Sequence, residues 1–455
     1  MKLSKGIQFF AGNTQTTYDL TNLNLSAGTY AITVIAEAEG FTDSDVSNSV
    51  NYTVTLTDPI LFEGETSDFT LKATNKTWNG TVEYSTDKNT WNTWDGSEIP
   101  SANKKLYLRG KNNTTFYTKK GVQFVLSAKA GCYGNINTLL DYENPPISVG
   151  KNCYRSMFRD CTSLTTAPEL PATKLESSCY YDMFLGCTSL TTGPSILPAT
   201  TLASGCYQYM FYGCTSLTSA PVLPATTLEA SCYREMFYGC TSLTTAPELP
   251  ATTIAKSYCY SSMFRGCTSL TVAPALPATT LADACYSSMF YGCTSLTTAP
   301  ELPATTLADS CYLSMFQGCT SLTATPALPV TTLASSCYME MFQGCTSLTI
   351  APALPATTLK NGCYAEMFQG CTSLTVAPAL PATTLEFYCY QRMFQGCRRI
   401  KISATQTGEY TTAWRIPSNG EISAEAYNWN NYMLKNTGGT FTANPSINTT
   451  YYIAG

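Results

Sequence analysis

The chain has 455 residues, roughly three times the usual domain length, so several structural units are expected. Its net charge is −5 without a basic run, which excludes nucleic acid and anionic membranes as main partners. It has no histidine for imidazole catalysis or metal binding, and no apolar stretch near the roughly 20 residues of a membrane span. The first residues lack a signal-peptide core, so we expect no export by a secretory signal.

Residues 1–57 are predicted to form a β module. The segments 28–34 and 47–54 alternate apolar and polar residues, as half-buried strands do. They resemble the last strands of a fibronectin type III-like module, which takes about 100 residues. Because the front strands are missing, we expect a partner chain to supply them. That partner is either another copy of the chain, in a predicted trimer, or a larger assembly.

Residues 58–131 are predicted to form a second β module. Strand-like pairs such as Val82 and Tyr84, or Leu106 and Leu108, are separated by turn-rich breaks. The isolated Cys132 lies just beyond it, at the junction with the next region.

Residues 132–400 contain an internal repeat that decides the architecture. The unit Cys-Tyr-x-x-Met-Phe-x-Gly-Cys-Thr-Ser-Leu-Thr-x-x-Pro-x-Leu-Pro-Ala-Thr-Thr-Leu occurs ten times, first at Cys153 and last at Cys389. Its spacing is 26 residues, with two steps of 27. A period of this length indicates a solenoid, in which each coil buries its apolar side chains only against its neighbours.

Each coil is predicted to contain a strand, a turn, a second extended piece and a short helix. Prolines end the strand, and the Thr-Thr-Leu segment favours extended backbone. The Cys-Tyr-x-x-Met-Phe segment spaces apolar residues at i, i+1, i+4 and i+5, which suits one or two helical turns ended by the glycine. The fold class is therefore a mixed α/β repeat solenoid preceded by small all-β modules.

The segment Met-Phe-x-Gly-Cys-Thr-Ser-Leu, as at residues 289–296, resembles the BspA-like leucine-rich repeats of bacterial surface proteins. The resemblance covers about residues 150–400. It implies a leucine-rich-repeat solenoid, although the Ala-Pro-x-Leu-Pro strand is longer than in that family and the Cys-Tyr cysteine is additional.

The repeat places 20 of the 21 cysteines in two series, one opening Cys-Tyr and one opening Cys-Thr-Ser-Leu. One interpretation is two buried columns of reduced thiols, because a free cysteine packs as a small apolar side chain. The alternative is one disulfide per coil, for example between Cys285 and Cys293. The Cys-x₇-Cys spacing does not suit zinc, and twenty equivalent thiols without a base do not suit catalysis.

Residues 401–455 are predicted to form an α/β cap. Ser418–Glu421 has the spacing of a capping box, after which Ile422, Trp429 and Met433 follow at helical intervals up to Gly438-Gly439. We expect this tail to cover the last coil; a ligand platform made by Trp414 and Trp429 is the alternative.

The repeat positions that vary are the candidate binding site. They lie between Cys-Tyr and Met-Phe and directly before the glycine, and stacking would align them in stripes. Tyrosine gives a large contact surface at a small entropic cost. The alternative is a solvated ladder in which these side chains only stack on one another. The candidate residues are Tyr181, Tyr209, Tyr212, Arg234, Tyr238, Arg265 and Tyr291.

These features predict a non-enzymatic binding or display protein without a cofactor or metal. Paired carboxylates such as Glu235, Glu340 and Glu366 would suit glycoside hydrolysis, but stacking aligns them along the rod instead of across a cleft. We expect a fibre or decoration protein on a bacteriophage virion. Its partners would be virion proteins, its own copies, and a host-surface glycan or protein. A bacterial cell-surface adhesin is the alternative, and a purely structural capsid decoration is a further one.

Overall fold

In the computed structural model, side chains are described for residues 58–75, 78–117, 122–422 and 426–454, and the backbone alone for the strands at 28–34 and 47–54. The described regular elements are sixteen strands and one short 3₁₀ helix, Ile136–Leu139. The strands are β1 Gly28–Val34, β2 Ser47–Val54, β3 Ile60–Gly64, β4 Thr70–Ala73, β5 Thr81–Ser85, β6 Asn92–Thr93, β7 Ile99–Pro100, β8 Lys105–Lys111, β9 Phe124–Leu126, β10 Ala130–Tyr133, β11 Ser148–Val149, β12 Leu164–Thr166, β13 Lys174–Leu175, β14 Ile402–Ser403, β15 Tyr410–Arg415 and β16 Thr450–Ala454.

Strands β1 and β2 form an antiparallel pair, with Gly28 opposite Val54 and Tyr30 opposite Tyr52. These are the two segments in which the sequence alternates, and their pairing fits a hairpin of a β module. The rest of residues 1–57 lies outside the described residues, as does most of the predicted fibronectin-like module.

The second module is a small sandwich. A six-stranded sheet has the order β12-β10-β3-β8-β5-β6, and a three-stranded sheet has the order β7-β4-β9. The two sheets pack through Phe62 on β3 and Phe124 on β9, whose ring centroids are 6.4 Å apart, with Trp94 5.5 Å from Phe124. In the first sheet, β10 pairs with β12 of the first coil. The predicted domain boundary at residue 131 lies within β10, so a strand crosses from the module into the solenoid. Module and solenoid share one hydrophobic core, in which Cys132 is fully buried.

The ten repeats form stacked coils, as predicted, but the expected helix is wrong. We number each coil from its Cys-Tyr cysteine as position 1. Residues at positions 0, 4 and 8 have a left-handed backbone, for example Ser231, Glu235 and Gly239 with φ of 56°, 54° and 70°. A helix does not contain such residues at every fourth position. The segment is instead a series of tight turns.

The turns leave every second backbone N–H free to join the coils. Odd positions donate locally, as Met210 does to the Tyr207 carbonyl at 3.3 Å. Even positions donate to the next coil, as Tyr207 does to the Cys232 carbonyl at 3.0 Å. The i, i+1, i+4, i+5 spacing misled the prediction because a four-residue turn series buries the same positions as a helix.

Side chains of equivalent positions form columns inside the rod. The ten tyrosines of the Cys-Tyr pairs stack at ring-centroid distances of 5.7–5.9 Å. The ten phenylalanines of the Met-Phe pairs stack at 5.4–5.8 Å. All of these rings are buried. Offset stacking of this kind adds about 0.5–1.5 kcal/mol per pair beyond the burial of area.

The opposite side of each coil is extended, but it forms strands only in the first coil, at β12 and β13. Later coils are joined there by single parallel bridges, such as Thr201 with Thr227 and Thr245 with Val272. The prolines account for the interruption because they cannot donate to a ladder.

The cysteines form two buried columns, and all 21 are free thiols in this structure. Those of the Cys-Thr-Ser-Leu series have a further role. The Cys293 thiol donates to the Phe264 carbonyl of the preceding coil at 3.1 Å, and Cys319 donates in the same way to Phe290 at 3.0 Å. This bond uses a small buried donor, which explains why cysteine occupies the position.

Both ends of the array are covered. At the first coil, Phe124 of β9 donates to the Met157 carbonyl at 2.7 Å, so the sandwich replaces a preceding coil. At the last coil, Tyr390 and Phe394 donate to the carbonyls of Trp429 and Met433 at 2.8 and 3.1 Å. The predicted helix through Ile422, Trp429 and Met433 is therefore wrong. Residues 427–437 instead form an eleventh layer of turns.

Strands β14, β16 and β15 form a three-stranded sheet beside this layer, with Ile402 opposite Ile453. Trp414 of β15 is 5% exposed and its indole donates to the Pro378 carbonyl, while Trp429 is 3% exposed. Because both indoles are buried, they do not form the exposed ligand platform that was the alternative to a cap.

Candidate functional site

Positions 3, 4 and 7 of the coils lie side by side on one surface of the rod. Positions 1, 2, 5, 6 and 9 turn inward. The glycine and most tyrosines and arginines at the variable positions are half-exposed, whereas smaller residues there, such as Asp182 and Ser261, are buried. In the first six coils half of these positions carry tyrosine or arginine. We call this surface the aromatic–arginine face; its members in contact order are Tyr117, Arg155, Tyr181, Tyr209, Tyr212, Tyr238, Arg265 and Tyr291.

The face begins where the sandwich meets the first coil. The Arg155 guanidinium lies 5.8 Å from the ring centre of Tyr117 and 4.3 Å from that of Tyr181. The ring of Tyr181 meets Tyr209 edge-on at 5.3 Å, and Tyr209 meets Tyr212 at 6.1 Å. The contacts therefore pass from position 3 to position 4 and then to position 7 across the first three coils.

From the third coil onward the face follows position 7. Tyr212 and Tyr238 stack at 4.4 Å with an 8° interplanar angle. The Arg265 guanidinium lies 5.6 Å from the Tyr238 ring and 4.0 Å from the Tyr291 ring. Cation–π contacts of this geometry fix the arginine and leave its N–H edge open to a ligand.

Six of the seven predicted residues thus form this row of contacts. Arg234 lies beside the row, since its carbonyl accepts from the Tyr209 N–H at 3.0 Å, but its side chain makes other contacts. Its guanidinium pairs with the Glu235 carboxylate at 3.1 Å and lies 5.5 Å from the Tyr258 ring. Sequence reasoning missed Arg155, although it occupies the same repeat position as Tyr181. It also missed Tyr117, which lies outside the repeat and therefore carries no periodic signal.

The electrostatics of the face favour hydrogen-bond donation and anion contact. Burial and the neighbouring Tyr209 raise the pKa of Tyr181, and burial and Tyr238 raise that of Tyr212. Both hydroxyls are therefore protonated donors at neutral pH. In the described part of the chain, neither Arg155 nor Arg265 has a carboxylate within 4.0 Å. Two arginines on this face are therefore available to a carboxylate, sulfate or phosphate.

The later coils use position 7 differently. Gln317, Gln343, Gln369 and Gln395 bond to one another through their amides, the last pair at 2.8 Å. Gln343 also donates to Glu366 at 2.9 Å. The alternative of a self-stacked ladder describes this half of the rod well, because its polar groups are satisfied along the row.

The recurring carboxylates considered for hydrolysis are engaged separately. Glu235 pairs with Arg234, Glu340 accepts from Ser314 at 2.7 Å, and Glu366 pairs with Arg392 at 3.1 Å. Among the described residues, no group of three His, Cys, Asp or Glu side chains is placed to hold a metal ion. Nor is any helix in that part long and apolar enough to cross a membrane.

Comparison with known proteins gives one result for the repeats. A family model described as "BspA type leucine rich repeat region (6 copies)" matches residues 146–271, 184–322, 231–375 and 284–411 in overlapping stretches, which together cover more than half of the chain. No curated protein matches significantly. No solved structure does so either.

Proposed function

Since the chain belongs to the BspA-type leucine-rich repeat family, we propose that it is a non-enzymatic adhesion protein that binds a host-surface protein or glycan through its aromatic–arginine face. Repeats of this type occur in surface-associated proteins, which supports adhesion as the general role. The observation that carries the proposal is the unbroken contact row from Tyr117 to Tyr291, in which neither Arg155 nor Arg265 forms a salt bridge with a described carboxylate.

The row is suited to binding because it is already ordered. Its rings are held by stacking and cation–π contacts before a ligand arrives, so little side-chain entropy is lost on association. At a coil spacing of about 4.8 Å, six coils extend over roughly 30 Å, the width of a standard protein interface. Tyrosine and arginine are also the residues that most often dominate binding energy.

The finer proposal is that the chain is carried by a bacteriophage virion. In it, the β modules attach to other virion proteins or to copies of the chain, and the rod reaches outward. The antiparallel pair β1–β2 at the front of the chain belongs to the β module to which we assign this attachment. A bacterial surface adhesin remains the second candidate, supported by the repeat family. Immunogold electron microscopy of particles and cells distinguishes the two locations, and light scattering of the purified chain tests the proposed trimer.

The adhesion test compares two triple variants that change the same repeat position. Tyr212→Ala/Tyr238→Ala/Tyr291→Ala removes three rings from the face, and Gln317→Ala/Gln343→Ala/Gln369→Ala removes three amides from the later coils. Binding of labelled chain to cells of candidate hosts is measured by flow cytometry.

We expect at least a tenfold loss of affinity for the tyrosine variant and little change for the glutamine variant. Equal binding by the parent chain and the tyrosine variant would show that the aromatic–arginine face is not the binding site. Pretreating the cells with protease or with glycosidases shows whether a protein or a glycan is bound.

A further inference from the structure

The C-terminal end of the rod carries an unfinished hydrogen-bond ladder. Residues 427–437 form the last layer, and Asn428, Tyr432 and Asn436 have the left-handed backbone of positions 0, 4 and 8, with φ of 55°, 57° and 63°. In the complete coils the even-position N–H groups donate to the following coil, as Tyr364 does to Cys389 and Glu366 does to Gln391 at 3.0 and 2.8 Å. By the same register, the N–H groups of Asn428 and Asn430 point away from coil 10. Within the described residues, neither finds an acceptor.

A cleft of about 570 Å³ lies over these donors, between residues 426–431 and 444–447. Four of its lining residues are asparagines, and in the described part of the chain none is charged. Tyr427 stands at the rim with 71% of its surface exposed. The Asn430 amide donates to the Pro445 carbonyl at 2.5 Å and so ties the two walls together.

We propose that this cleft binds a neutral saccharide. Sugar hydroxyl and ring oxygens accept hydrogen bonds from the unpaired backbone donors. The carboxamides of Asn431 and Asn444 can donate and accept at once, which matches adjacent hydroxyl groups. The exposed ring of Tyr427 gives the apolar face of a pyranose a surface with a polar edge. The lining is predominantly polar, which suits a ligand covered with hydroxyl groups.

Two observations favour a saccharide over other ligands. The carbonyls of Trp429 and Asn431 already accept from Tyr390 and Arg392 at 2.8 and 2.9 Å. The edge therefore offers donors without neighbouring acceptors, whereas a peptide added as a strand needs both. Because no arginine or lysine is among the described residues that line the cleft, an acidic ligand would lose water there without gaining a counter-charge. The cleft shares no residue with the aromatic–arginine face, so the two proposals stand or fall separately.

The test uses the full chain and a panel of neutral oligosaccharides built from glucose, galactose, mannose and N-acetylglucosamine. Binding is detected by saturation-transfer NMR and quantified by calorimetry. Sialylated and sulfated oligosaccharides and an extended peptide are the comparison probes. The variants are Tyr427→Ala and Asn431→Ala. Phe387→Ala, an exposed aromatic outside the lining with 47% exposure, is the matched control.

We expect at least one neutral oligosaccharide to bind, a tenfold or greater loss of affinity in both cleft variants, and unchanged affinity in Phe387→Ala. Absence of binding by the whole neutral panel overturns the proposal. Binding that survives both cleft variants overturns it as well, and so does binding restricted to the acidic oligosaccharides or the peptide. Tyr427 is mostly exposed, so its variant is expected to keep the parent circular dichroism spectrum.

Discussion

The buried thiol columns make the solenoid sensitive to alkali. Burial raises the pKa of Cys311 and of Cys319 in coil 7 to about 12, from an ordinary value of 9.0. Burial also raises the pKa of Tyr312 between them. The unfolded chain releases these thiol protons near pH 9, while the folded chain holds them. The stability that the thiols contribute is therefore complete below pH 9.0 and is lost as the pH rises toward 12.

The size of the effect follows from the linkage of protonation and folding. At one pH unit above its unfolded pKa, each thiol lowers the free energy of unfolding by about 1.4 kcal/mol. For the pair in coil 7 this amounts to roughly 3 kcal/mol between pH 8 and pH 10. Because the other coils contribute in the same way, the whole array is expected to unfold within a narrow alkaline range.

The assay is urea unfolding at pH 8, 9 and 10 under reducing conditions, followed by circular dichroism. The variant Cys311→Ala/Cys319→Ser removes two titrating groups and keeps a donor toward the Phe290 carbonyl. It should be less stable than the parent at pH 7, yet lose roughly 3 kcal/mol less between pH 8 and pH 10. A parent urea midpoint that does not move over this interval refutes the reasoning, and so does an equal loss in parent and variant.

Further substitutions at three positions test the packing. Phe290→Ala empties the middle of a stacked column and should lower the free energy of unfolding by about 3–5 kcal/mol, and Phe290→Leu by less; hydrogen exchange should quicken around coil 6 and stay unchanged in the first coils. Gly266→Ala should cost only about 1 kcal/mol, because φ is +73° but the new Cβ meets Gly239 at an ordinary 3.7 Å. Gly438→Ala should cost clearly more, because its Cβ would run into the backbone carbonyl of Arg398, and equal melting temperatures of the two glycine variants would contradict this.

The solenoid and the burial of its repeated apolar side chains could be predicted from the sequence, because ten copies of one unit must meet the same neighbours. The turn geometry was not predicted. Left-handed backbone is tolerated by glycine and, among other residues, best by asparagine and aspartate. Asp160 and Asn436 replace the glycine at the two ends with φ of 57° and 63°. Because a helix also ends on a left-handed glycine or asparagine, these residues do not distinguish a series of turns from a short helix.

The aromatic–arginine face was predictable only in part, for a related reason. Repeat alignment groups residues of one position, whereas the contacts change position between coils, as from Tyr181 at position 3 to Tyr209 at position 4. Tyr117 joins through the three-dimensional junction of sandwich and first coil, which no periodicity encodes. The C-terminal cleft depends likewise on residues 444–447 folding back over the last layer.

The alternating use of backbone N–H groups makes every junction between coils chemically alike. Excising or duplicating one 26-residue unit, for instance by recombination between its near-identical copies, would rejoin the same donors to the same carbonyls and the same rings to the same rings. The number of coils can therefore change during evolution while the contacts between coils stay the same. The reach of the rod could therefore adapt independently of what its surface recognises.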